Sequence, residues 1–135
     1  MLNQTNSFIL IIIAIVLLIF LYVLVNSKKP KLNKAKYTNN LDVITKLINY
    51  ANYQSAVMES DKLLDSALKE LGIKGSTMGE RLRNSGNLGL NLNDIWWAHK
   101  LRNRVAHEVG YNISATNANK VVKILKTSLK KLGAI

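Results

Sequence analysis

Apolar residues are distributed along this chain in two regimes. From Phe8 to Val25 they run unbroken as FILIIIAIVLLIFLYVLV, without a charge, a glycine or a proline. A helix of that length, at about 1.5 Å per residue, just covers a ~30 Å hydrocarbon core. Hydrocarbon offers no hydrogen-bond partners, so a segment that satisfies its own backbone is the natural form there. The pattern predicts a single transmembrane helix over residues 8–25 behind a short tail of residues 1–7, with Tyr22 near one interface.

After Val25 the apolar positions recur at helical spacing among polar ones. Leu41, Ile44, Leu47, Ile48 and Ala51 make one stripe, and Val57, Leu64, Ala67, Leu68 and Leu71 continue it. One long helix, or two meeting near Tyr53–Ser55, satisfies this pattern, and Gly72 and Gly75 end it. Thr77 and Glu80 have capping-box spacing ahead of a short helix with Met78 and Leu82. The segment from Ser85 to Gly89 reads as a loop, and Asn93 or Asp94 is placed to cap a helix from Ile95 to His107. Glu108-Val109-Gly110 closes that helix, and Ser114 opens a last one to about Leu132, burying Ala118, Val122, Leu125, Leu129 and Leu132. No run alternates with period two for long enough to argue for strands. The expectation is an all-α chain, a bundle of four or five helices over residues 41–135, joined to the membrane helix by a basic linker over residues 26–40.

Charge adds orientation to this outline. Every Lys, Arg, Asp and Glu of the 135 residues lies after the apolar run, and the net charge is +11. Lys28, Lys29, Lys31, Lys34 and Lys36 follow the run at once, whereas Met1–Ser7 has no basic side chain. A cleaved signal peptide would need a basic start and a small-residue exit, and Val23-Leu24-Val25-Asn26-Ser27 is a poor one. The asymmetry predicts an uncleaved anchor with the C-terminal domain in the cytoplasm. The same lysines are suited to anionic lipid. A domain this basic expects a polyanion, lipid or nucleic acid. The absence of cysteine excludes disulfides, thiolate metal sites and a cysteine nucleophile.

Candidate chemistry concentrates in one helix. Ile95, Ala98, Leu101 and Val105 form its apolar face, while His99, Asn103 and His107 follow one another at i, i+4 on a neighbouring face. Arg102 falls between the two. Two histidines at i, i+8 without a third ligand make a poor metal site. The stripe also fits a hydrogen-bonded helix surface with His107 near the helix C-terminus, or a polar interface with a second helix. A His and an Arg together are also the minimum for metal-free RNA cleavage, one moving protons and the other stabilising phosphate charge. Spacing leaves these readings open. An acidic partner for Arg102 is expected from Glu59 or Asp61, and one of Trp96 and Trp97 is expected at an interface. Lys120, Lys123, Lys126, Lys130 and Lys131 give the last helix a basic face without an acid, suited to RNA or to anionic lipid.

The segment from Trp97 to Glu108, WAHKLRNRVAHE, resembles the R-x4-6-H signature of HEPN domains in its "hklRNxxaHe" form. The resemblance extends over roughly Leu41–Leu132. It implies a compact helical bundle that pairs in antiparallel fashion, so that two copies of the motif share a cleft. HEPN ribonucleases work without metal and leave a cyclic phosphate end, whereas other HEPN-like domains serve as binding or dimerisation modules. Carried onto this chain, the resemblance makes His107 the general base or acid, Arg102 the phosphate ligand and Asn103 a supporting polar group. It implies a homodimer acting on RNA at the membrane, with no cofactor and no resident metal.

Overall fold

The computed structural model describes residues 4–26 and 30–135. The first helix, α1, runs Gln4–Asn26. Its stretch Asn6–Val25 is long and apolar enough to cross a membrane, and its side chains are exposed all the way round. A helix that is apolar on every side has no face to give to water, which is the surface lipid suits. Of the juxtamembrane lysines, Lys28 and Lys29 lie outside the described residues; Lys31, Lys34 and Lys36 are exposed.

The remaining helices are α2 (Lys34–Asn49), α3 (Tyr53–Glu70), α4 (Met78–Arg83), α5 (Leu92–His107) and α6 (Ala115–Lys131), with a single 3-10 turn at Gly86–Leu88. No strand occurs among the described residues. α2 begins seven residues before Leu41, inside the segment expected to be linker. Asn33 caps it by accepting from Lys36 N at 3.2 Å, and Leu32 and Tyr37 are both buried. The lysines around them gave this stretch the composition of a linker, but Tyr37, Leu41 and Ile44 at i, i+4, i+7 give it a core face.

α2 and α3 are separate helices. The amide of Ala51 donates to Ile48 O at 3.0 Å and that of Asn52 to Leu47 O at 2.8 Å, the paired bonds of a Schellman ending. Asn52 then caps α3 through Ser55 N. Thr77 accepts from Glu80 N at 3.2 Å, and the Glu80 carboxylate reaches back to Ser76 N at 2.6 Å, one residue before the usual box partner. The cap of α5 is Asn91, not Asn93 or Asp94; its side chain accepts from Asp94 N, so the helix starts at Leu92. Ser114 caps α6 as expected.

α3 is the central helix, in contact with α2, α4, α5 and α6. The larger core gathers Tyr37, Ile44, Leu64, Leu68, Leu82, Ile95 and Leu129, and a smaller one gathers Val57, Leu101, Ile113, Ala118 and Val121. α6 buries Ala118, Leu125 and Leu129 as expected and Val121 in place of Val122, which is half-buried like Leu132 just past the helix. α5 spans both cores, so Trp96 packs on the larger and Trp97 on the smaller. Both tryptophans remain half-buried, each with one side on a core and the rest of its surface accessible.

Candidate functional site

α5 is the helix on which the polar chemistry collects, and its neighbours decide what each side chain can do. Opposite its polar stripe lies α3, with Asp61 facing inward. Asp61 Oδ1 accepts from His99 Nδ1 at 2.8 Å, and Asp61 Oδ2 lies 3.4 Å from Arg102 Nε. Arg102 Nη1 donates to Asn103 Oδ1 at 2.9 Å, and Asn103 Nδ2 approaches His99 Nε2 at 3.4 Å. Asp61, His99, Asn103 and Arg102 therefore form a closed ring, in which the donors and acceptors all run consistently with the Nδ1–H tautomer of neutral His99.

The ring is shielded but not sealed. The side chains of Asp61 and His99 keep 8% and 12% exposure, and that of Arg102 keeps 26%. The Arg102–Asp61 contact is an ion pair without the alignment of a hydrogen bond, so buried Arg102 Nε has no hydrogen-bond acceptor among the described residues. Trp96 sets its ring edge-on to His99 at a centroid distance of 5.8 Å and 76°. α4 comes up to this point at Gly79, where a Cβ would lie 3.4 Å from Trp96 Cη2, in ordinary van der Waals contact.

These groups line an open cleft of about 500 Å³ between α3, α5 and the Ser76–Arg83 segment. Its far wall carries Arg81, which grips Asp65 at 2.6 and 2.9 Å and also donates to the Gly75 carbonyl. The Asp65 carboxylate holds the Arg81 guanidinium even further into its charged form than usual. Lys62 and Arg83 complete the cationic rim.

Arg102 and Asn103 thus stand together in the cleft, and Asp61, not Glu59, is the acid beside Arg102. Glu59 instead pairs with Lys62 at 2.7 Å. His107 is not brought to them. It is exposed in the last turn of α5 and does not line the cleft. Five residues on a helix place it about 140° round and ~7.5 Å along from Arg102. Beyond it, Arg104 pairs with Glu108 at 3.0 Å and covers the Tyr111 ring at 4.2 Å, while Val109 is fully exposed.

The basic face of α6 divides as well. Lys120, Lys123 and Lys131 line a second groove of about 710 Å³ with Leu90, Asn91 and Ile124. Lys120 also lies 4.2 Å over the Trp97 ring. Lys126 and Lys130 are exposed outside that groove. The role of His99 is what sequence reasoning missed. Its i, i+4 spacing to Asn103 was visible, but its decisive partner lies 38 positions upstream on another helix.

No protein-family model, curated protein or solved structure matches this chain.

Proposed function

We propose that this chain is a membrane-anchored, HEPN-like endoribonuclease. In this reading α1 holds the domain at the cytoplasmic face, two copies pair through α5, and Arg102 of one faces His107 of the other across RNA. One observation carries the proposal: Arg102 stands in an open cleft with its guanidinium oriented by Asp61 and Asn103, and Nη2 has no acceptor among the described residues. Such a cation is placed to take the charge that gathers on phosphate oxygens during transesterification. The exposure of His107, with fully exposed Val109 two residues on, leaves both free to meet a second copy. Lys120, Lys123, Lys126, Lys130 and Lys131 are available to track the RNA backbone, and Lys31 and Lys34 to meet anionic lipid, Lys36 being paired with Glu70.

The test is single-stranded RNA cleavage by the full chain in lipid nanodiscs with a chelator present. The expected products end in a cyclic phosphate. His107→Gln should lower the rate roughly 10²–10⁴-fold without changing the melting temperature, because the side chain is exposed. Wild-type chain that leaves RNA intact overturns the reading.

A second reading is favoured by the Asp61–Arg102 ion pair, which already compensates part of the charge that phosphate would need. A catalytically silent HEPN-like module would bind RNA or assemble a partner at the membrane. In the same assay it would retain RNA with a steep salt dependence and cut none.

A further inference from the structure

The ring around Asp61 contains more than an arginine clamp. Strand cleavage by a 2′-hydroxyl needs a group to take one proton and a group to give another. His107 supplies one such group. The two histidines of the chain are eight residues apart on α5, about 12 Å along the helix, too far for both to serve one phosphate within one protomer.

We infer that His99 is the general base of the cleft, oriented by Asp61, and that the partner copy's histidine motif supplies the acid; this rests on the ribonuclease reading above. Asp61 accepts the Nδ1 proton at 2.8 Å, which fixes the ring plane and leaves the Nε2 lone pair as the reactive atom. Among the described residues the one hydrogen-bond partner of Nε2 is the Asn103 amide, at 3.4 Å, beyond a usual N–H···N contact and the longest hydrogen bond of the ring. A substrate hydroxyl that approaches more closely displaces that amide and takes its place. Arg102 stands three residues along the same helix and shares Asp61 with His99, so the base and the phosphate cation are set by one carboxylate.

The step balances as follows. Neutral His99 Nε2 removes the 2′-hydroxyl proton, the oxygen bonds to the adjacent phosphorus, and the phosphorus–O5′ bond breaks. The departing O5′ receives a proton from imidazolium of His107 of the second copy. The products are a 2′,3′-cyclic phosphate and a 5′-hydroxyl, with His99 protonated and His107 neutral until water exchanges the protons. The charged groups that face His99 are Asp61, Lys62 and Asp65 from α3, Arg81 and Arg83 from α4, and Arg102 from α5.

The full chain in nanodiscs, with chelator and a labelled single-stranded oligoribonucleotide, tests this. Wild type should give a bell-shaped dependence of kcat/KM on pH. His99→Gln should lower kcat/KM roughly 10²–10⁴-fold and abolish the acid-side limb, which reports the base. His107→Gln should abolish the alkaline limb instead. A structural role for His99 would move melting temperature and leave both limbs in place, and that result overturns the assignment. Because His99 is packed, a measurement on unaltered protein accompanies it. With histidine ring nitrogens labelled, an oligoribonucleotide that keeps the 2′-hydroxyl but has a methylene group in place of O5′ at the scission site, and so cannot be cut, should shift Nε2 of His99, and an unmoved resonance overturns the assignment as well. Wild type that cuts while His99→Gln cuts equally removes this inference alone; wild type that cuts nothing removes the ribonuclease reading and this inference with it.

Discussion

Ala51 holds φ at +56°, the left-handed conformation that an L side chain adopts at a cost of about 1 kcal/mol. It does so because the Schellman ending of α2 requires that geometry at this residue. The same ending closes α3 at Gly72 and α6 at Gly133, where glycine adopts it without strain. Ala51→Gly should therefore stabilise the bundle by up to about 1 kcal/mol, read as a higher urea midpoint with an unchanged slope. The substitution also explains what the sequence hid. Gly72 announced the end of α3, whereas an alanine at the equivalent turn carried the apolar stripe straight through, so one helix and two helices looked alike. At the site, Arg102 and Asn103 were legible because they share a local motif. Asp61 could be only one of two candidates, since the α3 face that meets α5 is fixed by packing across the bundle.

Between elements, α2 and α3 are joined at the surface as well as through the core. Lys36 on α2 bonds to Glu70 near the end of α3, with Ser66 and Tyr37 beside them. The Lys36 ammonium holds the Glu70 carboxyl below its ordinary value of 4.5, and burial pushes the Tyr37 phenol up. A carboxyl lowered on folding contributes stability above its unfolded value and loses that contribution as pH falls through the lowered native one. Acidifying from about pH 5 to about pH 3 should therefore lower the melting temperature of wild type more than that of Glu70→Gln. The difference should be small, because the two side chains are 44% and 37% exposed and water screens them. Equal slopes for the two proteins would show that the pair adds nothing. The expected linker was misread here for a related reason: its lysines face water and its two core residues, Leu32 and Tyr37, are too sparse to outweigh them in composition.

For the whole molecule, the first question is on which side of the membrane the bundle lies. A reporter active only in the cytoplasm, fused after Ile135, should be active, and one that matures only outside should not. The reverse pair of results would remove the domain from cytoplasmic RNA altogether. The motive is the basic stretch after α1 set against an N-terminal tail with no basic side chain.

The seven residues 27–33 are all that separates Asn26 at the end of α1 from Lys34 at the start of α2. Fully extended, they reach no more than about 25 Å. With α1 in a bilayer, the bundle is confined to a thin layer and diffuses in two dimensions. Encounter between copies then depends on how many share a given area of membrane, and dilution into the cell volume ceases to matter. A contact too weak to hold two free domains together becomes populated when anchored chains crowd into one patch. An activity that needs two copies would then follow lateral clustering, rising where the membrane gathers the protein and falling silent where it is spread thin.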